Sequence, residues 1–190
     1  MCIRDSDCCG IYICGSTGEA ASLTCSERMA VAEHYVSAVA GRIPTIVNVG
    51  HDCLADARQL AAHAQDINAD MISAYQPNYF RCETLEALLA CMQDICRAAP
   101  KLPFIYYHTP RAGSHFDMHE FLKAGKDCIP NLAGIKFSTP NVHEYQECLQ
   151  CQNGRFSMFF GTDQMLLSAL SVGSKASIGT SFSFAAPLLN

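Results

Sequence analysis

The chain has 190 residues, of which 49% are apolar and 16% charged, a globular composition with enough Leu, Ile, Val, Phe and Ala for one buried core. The formal net charge is -5 and Lys and Arg form no run, so no nucleic-acid surface is expected; no stretch of 18 apolar residues occurs, so no membrane span is expected either. The segment from Met1 to Ser6 lacks the apolar core of a signal peptide, and most of the 12 cysteines, Cys91 and Cys96 among them, fall inside periodic segments, where they read as small buried hydrophobes in a reducing, cytoplasmic compartment rather than as a disulfide scaffold.

Short β-rich runs alternate with amphipathic helical runs along the chain. Ile11 to Cys14 reads as a strand, and Gly15 to Glu19 as a turn. Thr24-Cys-Ser-Glu27 has capping-box spacing and opens a helix to about Ala40, striped by Met29, Ala32, Val36 and Val39 and ended by Gly41. Thr45 to Val49 is the next strand, with a helix from about Asp52 to Asn68. Met71 to Tyr75 is a strand and Thr84 to Ala98 a helix. Phe104 to His108 is a strand, and Asp117 to Glu120 repeats the capping-box spacing at the start of a short helix. Gly134 to Phe137, Ser157 to Phe160 and Ala176 to Ile178 complete seven predicted strands, with helices at Val142 to about Cys151 and Asp163 to Val172 between them. The six complete crossovers, without an Asn-Gly hairpin signal, predict a parallel sheet, and the evenness of the units favours a barrel over an open doubly wound sheet. Gly15 to Gly18 lacks the G-x-G-x-x-G spacing of a dinucleotide site.

In a barrel the C-terminal strand ends carry the chemistry. Ser16 and Thr17 close the first strand with hydroxyls and backbone N–H groups suited to a carboxylate; an ordinary Gly-rich turn is the alternative. Lys136 stands between apolar neighbours in Gly134-Ile-Lys-Phe-Ser138. Burial would lower its pKa and leave more of the amine neutral, the form a Schiff base requires, unless the side chain reaches water. Tyr106 and Tyr107 end another strand, and the two-residue period sends one inward and one outward. The inward phenol could move protons. Asp163 could cap the helix that follows it or accept hydroxyls from a polyol. His115 and His119 have i,i+4 spacing but no H-E-x-x-H, and Cys148 and Cys151 form one CxxC without a second; no metal site is expected from either.

Taken in order, Gly15 to Glu19, Tyr107 with Pro110, Gly134 to Ser138, Phe160 to Asp163 and Ile178 to Ser181 resemble the dihydrodipicolinate synthase and N-acetylneuraminate lyase superfamily, its sialic-acid-cleaving branch above all. The resemblance runs from about Ile11 to the C-terminus and leaves residues 1–10 unmatched. It implies a TIM (β/α)8 barrel, here without the first strand and the C-terminal helices, and a homotetramer when full length. It implies a lyase acting on a 2-keto acid or sialic acid: Lys136 as the Schiff-base amine, Tyr107 as proton relay, and Ser16 and Thr17 on the carboxylate. Ser138, Gly161, Asp163, Gln164 and Thr180 would face the sugar hydroxyls, and Tyr79 a neighbouring subunit's site. The implied reaction is reversible cleavage of N-acetylneuraminate to N-acetylmannosamine and pyruvate, with no cofactor and no metal. Gln164 departs from the Glu of that branch, and the loop from Pro110 to Gly113 is one residue shorter than the family's. Arg111, near the synthase branch's arginine, keeps a synthase-like or other 2-keto acid aldolase open, as the missing strand keeps open an inactive fragment or binding module. Lys136, Tyr107 and Thr17 are expected to converge on one cavity, with the Lys136 amine within about 8 Å of the Tyr107 hydroxyl. Without the first strand, the isolated chain is expected to be compact but loosely packed.

Overall fold

A computed structural model of the chain describes residues 8–113 and 115–189. Six parallel strands form one sheet in sequence order: β1 (Ile11–Ile13), β2 (Thr45–Asn48), β3 (Met71–Ala74), β4 (Phe104–His108), β5 (Leu132–Phe137) and β6 (Ser157–Phe160). The crossovers carry α1 (Cys25–Val39), α2 (Leu54–Asp66), α3 (Leu85–Arg97), α4 (Met118–Cys128) and α5 (Val142–Gln150), and α6 (Leu166–Ser171) and α7 (Phe182–Leu189) follow β6. This is an arc of a (β/α)8 barrel, and among the described residues β1 and β6 do not pair. Its two ends still meet at the top: the Thr17 and Thr180 hydroxyls share a 2.7 Å hydrogen bond, across 163 residues of sequence.

Local chemistry sets the element boundaries. Thr24 and Glu27 form the full reciprocal capping box at α1, a device that contributes about 1 kcal/mol. At its other end Ala40 (φ 49°) takes the first left-handed step and Gly41 (φ 70°) the second, so the helix stops one residue before the expected glycine. At α4 only half of the expected box forms. Asp117 accepts the Glu120 N–H at 3.0 Å, but the Glu120 carboxylate pairs with Lys123 at 2.9 Å instead of reaching back.

The two-residue strand period separates two buried faces. Ile13, Val47, Ile72, Ala74, Phe104, Tyr106, Ile135, Phe137, Met158 and Phe160 point outward into the core cluster shared with the helices. Tyr106, for example, packs on Phe121 of α4 at 4.6 Å between ring centroids. The intervening residues, including Ile46, Ile105, Tyr107 and Lys136, are buried but lie outside that cluster, on the inner face.

Two differences from the sequence reading appear near the C-terminus. The seventh strand is reduced to a single parallel bridge, Phe160 to Ser177, with Phe160 N–H donating to Ala176 O (3.0 Å) and Ile178 N–H to Phe160 O (2.9 Å). Its three residues find a partner on the β6 side only, too little to extend a ladder. The helix α7 was not predicted, because Pro187 lies inside it and Ala185 breaks its geometry (φ −131°, ψ 21°), leaving no helical signature in an apolar run. Among the described residues no helix is long and apolar enough to cross a membrane, and the eleven described cysteines are free thiols.

Candidate active site

Parallel register fixes the centre of the site. Tyr107 on β4 pairs with Lys136 on β5, which pairs with Phe159 on β6, so the three side chains line up on the inner face. The Lys136 amine lies 4.0 Å from the centroid of the Tyr107 ring and 4.1 Å from that of Tyr12, which places it well inside the separation expected from sequence. Gly134 sits two residues earlier on the same face, where any Cβ would run into the Ser157 carbonyl of β6; only glycine permits this approach of β5 to β6.

Lys136 is 7% exposed. Burial pulls its pKa below the usual lysine value; the Tyr107 charge, a Tyr107 hydrogen bond and the Asp163 carboxylate all push the other way and do not prevail. Tyr107 shows the opposite balance. Burial raises its pKa, but Lys136, with hydrogen bonds from Ser16, Thr109 and Lys136, outweighs that and leaves the phenol below its ordinary value. An amine biased toward neutrality thus faces a phenol biased toward ionisation, a combination suited to nucleophilic attack and proton transfer on a carbonyl compound.

The sequence-predicted residues gather unequally around this pair. The Ser16 and Tyr107 hydroxyls are 3.3 Å apart, so the first loop touches the phenol directly. Thr17 is joined to Thr180 instead, which links the first loop to the last segment of the arc. The hydroxyl of Ser138 is buried without a hydrogen-bond partner among the described residues and lies against Gly161, where a Cβ would collide with it. Asp163 neither caps its helix nor stands free: its Oδ2 accepts the Ser181 N–H at 2.8 Å, and Gly179 has no room for a side chain beside the carboxylate. Gln164 is exposed on the same 3-10 turn, Asp163–Met165. Tyr79 is apart from the group, 81% exposed and edge-on to the equally exposed Phe80 at 4.9 Å.

Four residues not singled out from sequence support the site: Tyr12, Ser73 and Asn48 on the strands, and Arg28 on α1. Tyr12 covers a second side of the lysine next to Tyr107, meets the Tyr107 ring edge-on at 6.0 Å and donates its hydroxyl to Ser73 Oγ at 2.9 Å. Burial, first among several causes, pushes its phenol well above the ordinary range, so it stays protonated. Beneath the loops, Arg28 of α1 is 2% exposed and donates to Asn48 O (2.7 Å) and Gly50 O (3.0 Å), while Asn48 Nδ2 donates to Cys14 O (2.7 Å). This network ties the ends of β1 and β2 to α1, reaching β1 at Cys14, two residues before Ser16. The period of two would have found Tyr12, which shares its strand face with neither Ile11 nor Ile13. Arg28 left no local signal, since both its acceptors lie 20 or more residues away.

Comparison with known proteins matches residues 5–190 to the dihydrodipicolinate synthetase family, starting somewhat before Ile11. The N-acetylneuraminate lyase of Xenopus tropicalis is 36% identical over 176 residues, covering 92% of this chain and 57% of the relative. The human N-acetylneuraminate lyase is 34% identical over 185 residues, covering 96% and 58%. Among solved structures, the N-acetylneuraminate lyase of Aliivibrio salmonicida superposes with a TM-score of 0.94 at 37% identity, covering 96% of this chain and 61% of that one. The Proteus mirabilis N-acetylneuraminate lyase gives the same TM-score at 33% identity, with 96% and 62% covered. The chain therefore spans about three-fifths of the length of these relatives.

Proposed function

The chain belongs to the dihydrodipicolinate synthetase family, and from that premise we propose that it is the greater part of an N-acetylneuraminate lyase that works through a Schiff base on Lys136. The observation that carries this reading is the Lys136 amine, buried between the Tyr12 and Tyr107 rings and biased toward its neutral form. The relatives at 33–37% identity that bear the lyase name support the choice of substrate.

In the proposed cycle the neutral amine adds to the keto carbon of open-chain N-acetylneuraminate. The carbinolamine loses its hydroxyl as water, leaving an iminium that accepts the electron pair of the breaking carbon–carbon bond. Ionised Tyr107 removes the proton from the substrate hydroxyl adjacent to that bond, so N-acetylmannosamine leaves as the aldehyde. The enamine left on Lys136 takes a proton at its terminal carbon, and water then releases pyruvate and restores the amine. Ser16 and Thr17 hold the carboxylate. Ser138, Gly161, Asp163, Gln164 and Thr180 face the polyol, with the Gln164 amide offering hydrogen bonds but no charge. The lysine is the electron sink, so the cycle needs no metal or organic cofactor. Tyr79, on an exposed loop, would reach a neighbouring subunit in a homotetramer, and the enzyme would work in the cytoplasm.

Borohydride in the presence of pyruvate tests the assignment. Intact-mass and peptide mapping should find a reduced pyruvyl adduct on Lys136, and none on Lys136→Ala. An adduct on another lysine, or no adduct on a chain whose circular dichroism shows it folded, refutes the role of Lys136. Release of pyruvate from N-acetylneuraminate then tests the substrate separately.

A further inference from the structure

Outside the inner face, one group of side chains combines ligands of three chemical kinds. Cys25 is the first residue of α1, His51 follows the end of β2 by three positions, and Asp56 lies in the first turn of α2. One ligand atom from each, a thiol sulfur, an imidazole nitrogen and a carboxylate oxygen, all fall within 4.8 Å of one another, and each residue is partly buried. The fold thus brings the start of α1 beside the β2–α2 connection, with His51 and Asp56 five residues apart on the latter. His51 Nδ1 accepts the Cys53 N–H at 2.9 Å and stands 3.6 Å from Asp56 Oδ2. An ion here takes the imidazole through Nδ1 with the Cys53 N–H turned away, or through Nε2 after the ring turns, and joins it to the neighbouring carboxylate and thiol.

We propose that Cys25, His51 and Asp56 form a binding site for a single zinc-class divalent cation. The donor set decides the class. A sulfur, a nitrogen and an oxygen suit a borderline-soft ion, whereas magnesium and calcium take oxygen ligands almost alone. On binding, the thiol gives up its proton, and thiolate and carboxylate together balance the dipositive charge. Bond lengths of about 2.0–2.3 Å around a tetrahedral ion put ligand atoms about 3.3–3.8 Å apart. The three side chains need to close by up to about 1–1.5 Å from their present spread, within reach of rotamer adjustment. Three protein ligands leave the fourth position to water.

The placement gives the ion a consequence. Cys25 lies one turn before Arg28, whose guanidinium holds Asn48 O and Gly50 O, and Asn48 in turn holds Cys14 O, two residues before Ser16. His51 directly follows Gly50. A bound ion would clamp the start of α1 to the β2–α2 connection on the strand-end side where Ser16 sits, and so fix the loop that touches Tyr107. The proposal stands on this geometry and is independent of the lyase reading.

The test is titration of the reduced, chelator-stripped chain with Zn²⁺ by calorimetry and with Co²⁺ by absorbance. The expected result is one ion per chain, with the intense near-ultraviolet band that a thiolate gives to cobalt. Cys25→Ser and Asp56→Asn should each weaken it about 100-fold or more, since even supporting residues around a metal contribute about 10–100-fold. Cys128→Ser, on α4, controls for adventitious thiol binding and should change nothing. His51→Gln replaces Cys25→Ser if that variant loses helical circular dichroism, and the same loss of affinity is required of it. Tight binding retained in both Asp56→Asn and the thiol or imidazole variant, or cobalt binding without the thiolate band, overturns the site.

Discussion

His108 makes the stability of this fold depend on mildly acidic pH. It follows Tyr107 at the end of β4, is 3% exposed, and lies against the Phe137 ring at 5.0 Å. Its Nδ1 has no hydrogen-bond partner among the described residues. Burial lowers its pKa to about 4, against about 6.5 for the same ring in an unfolded chain. Between those values the unfolded chain binds the proton and the folded one does not, so stability rises with pH across the window and is lost as pH falls through it. Linkage over the full interval amounts to about 3 kcal/mol, of which about 2 kcal/mol should be gone between pH 8 and pH 5. That is a sizeable share of the 5–15 kcal/mol typical of a whole domain, roughly speaking. Other groups titrate nearby: Glu144, for instance, has its pKa raised mainly by burial and acts in the opposite sense. The diagnostic quantity is therefore the difference between wild type and His108→Leu, which removes the titrating ring at similar volume. Urea denaturation at pH 8, 6.5 and 5 should show His108→Leu losing about 2 kcal/mol less than wild type on acidification. Parallel pH profiles for the two proteins would refute the reasoning, since they would mean that His108 is protonated in the fold or open to water.

Gly134→Ala should destabilise the chain by at least about 2 kcal/mol, because the added methyl meets backbone of β6 and not a side chain that can swing away; urea denaturation measures this, and a smaller change would show that β5 and β6 separate easily. The same variant should lower the yield of borohydride trapping on Lys136, which is carried on the displaced strand. Tyr107→Phe keeps the ring against the Lys136 amine but removes the proton-carrying hydroxyl. Pyruvate trapping should survive it, while pyruvate release from N-acetylneuraminate should fall by about 10²–10⁴-fold; equal loss of both would reassign Tyr107 to positioning the amine.

What the sequence disclosed about this molecule follows the range of the interactions that decide it. The caps at Thr24, Thr84, Asp117 and Asn141 each accept an N–H three residues on, so a window of four residues contains the whole signal. Strands β2 to β6 are short apolar runs between those helices and were legible for the same reason. Asp163 looked like another cap and proved to bond the Ser181 N–H, 18 residues away. The Tyr106–Tyr107 pair shows where legibility stops. Alternation dictates that one faces inward, but only the packing of β4 beside β5, where Tyr107 pairs with Lys136, and of Tyr106 on Phe121 of α4, decides that it is Tyr107. Arg28 is the extreme case: charged and inside a helix, it reads locally as a surface residue, and its partners become visible only when β2 is laid beside α1.

The two tyrosines around Lys136 extend this argument to chemistry. Motif reading finds the lysine and one phenol because both end strands in recognisable strings. The low pKa of the amine comes from burial, and part of that burial is the Tyr12 ring, contributed by a strand 124 positions earlier in the chain. Tyr12 is kept in place by Ser73 of β3, and β1 is joined to β2 through Asn48 and Arg28. The reactivity of one side chain on β5 thus rests on the packing of β1, β2 and β3 against one another. Changes at Tyr12, Ser73 or Arg28 should accordingly alter the state of the amine before they alter its position.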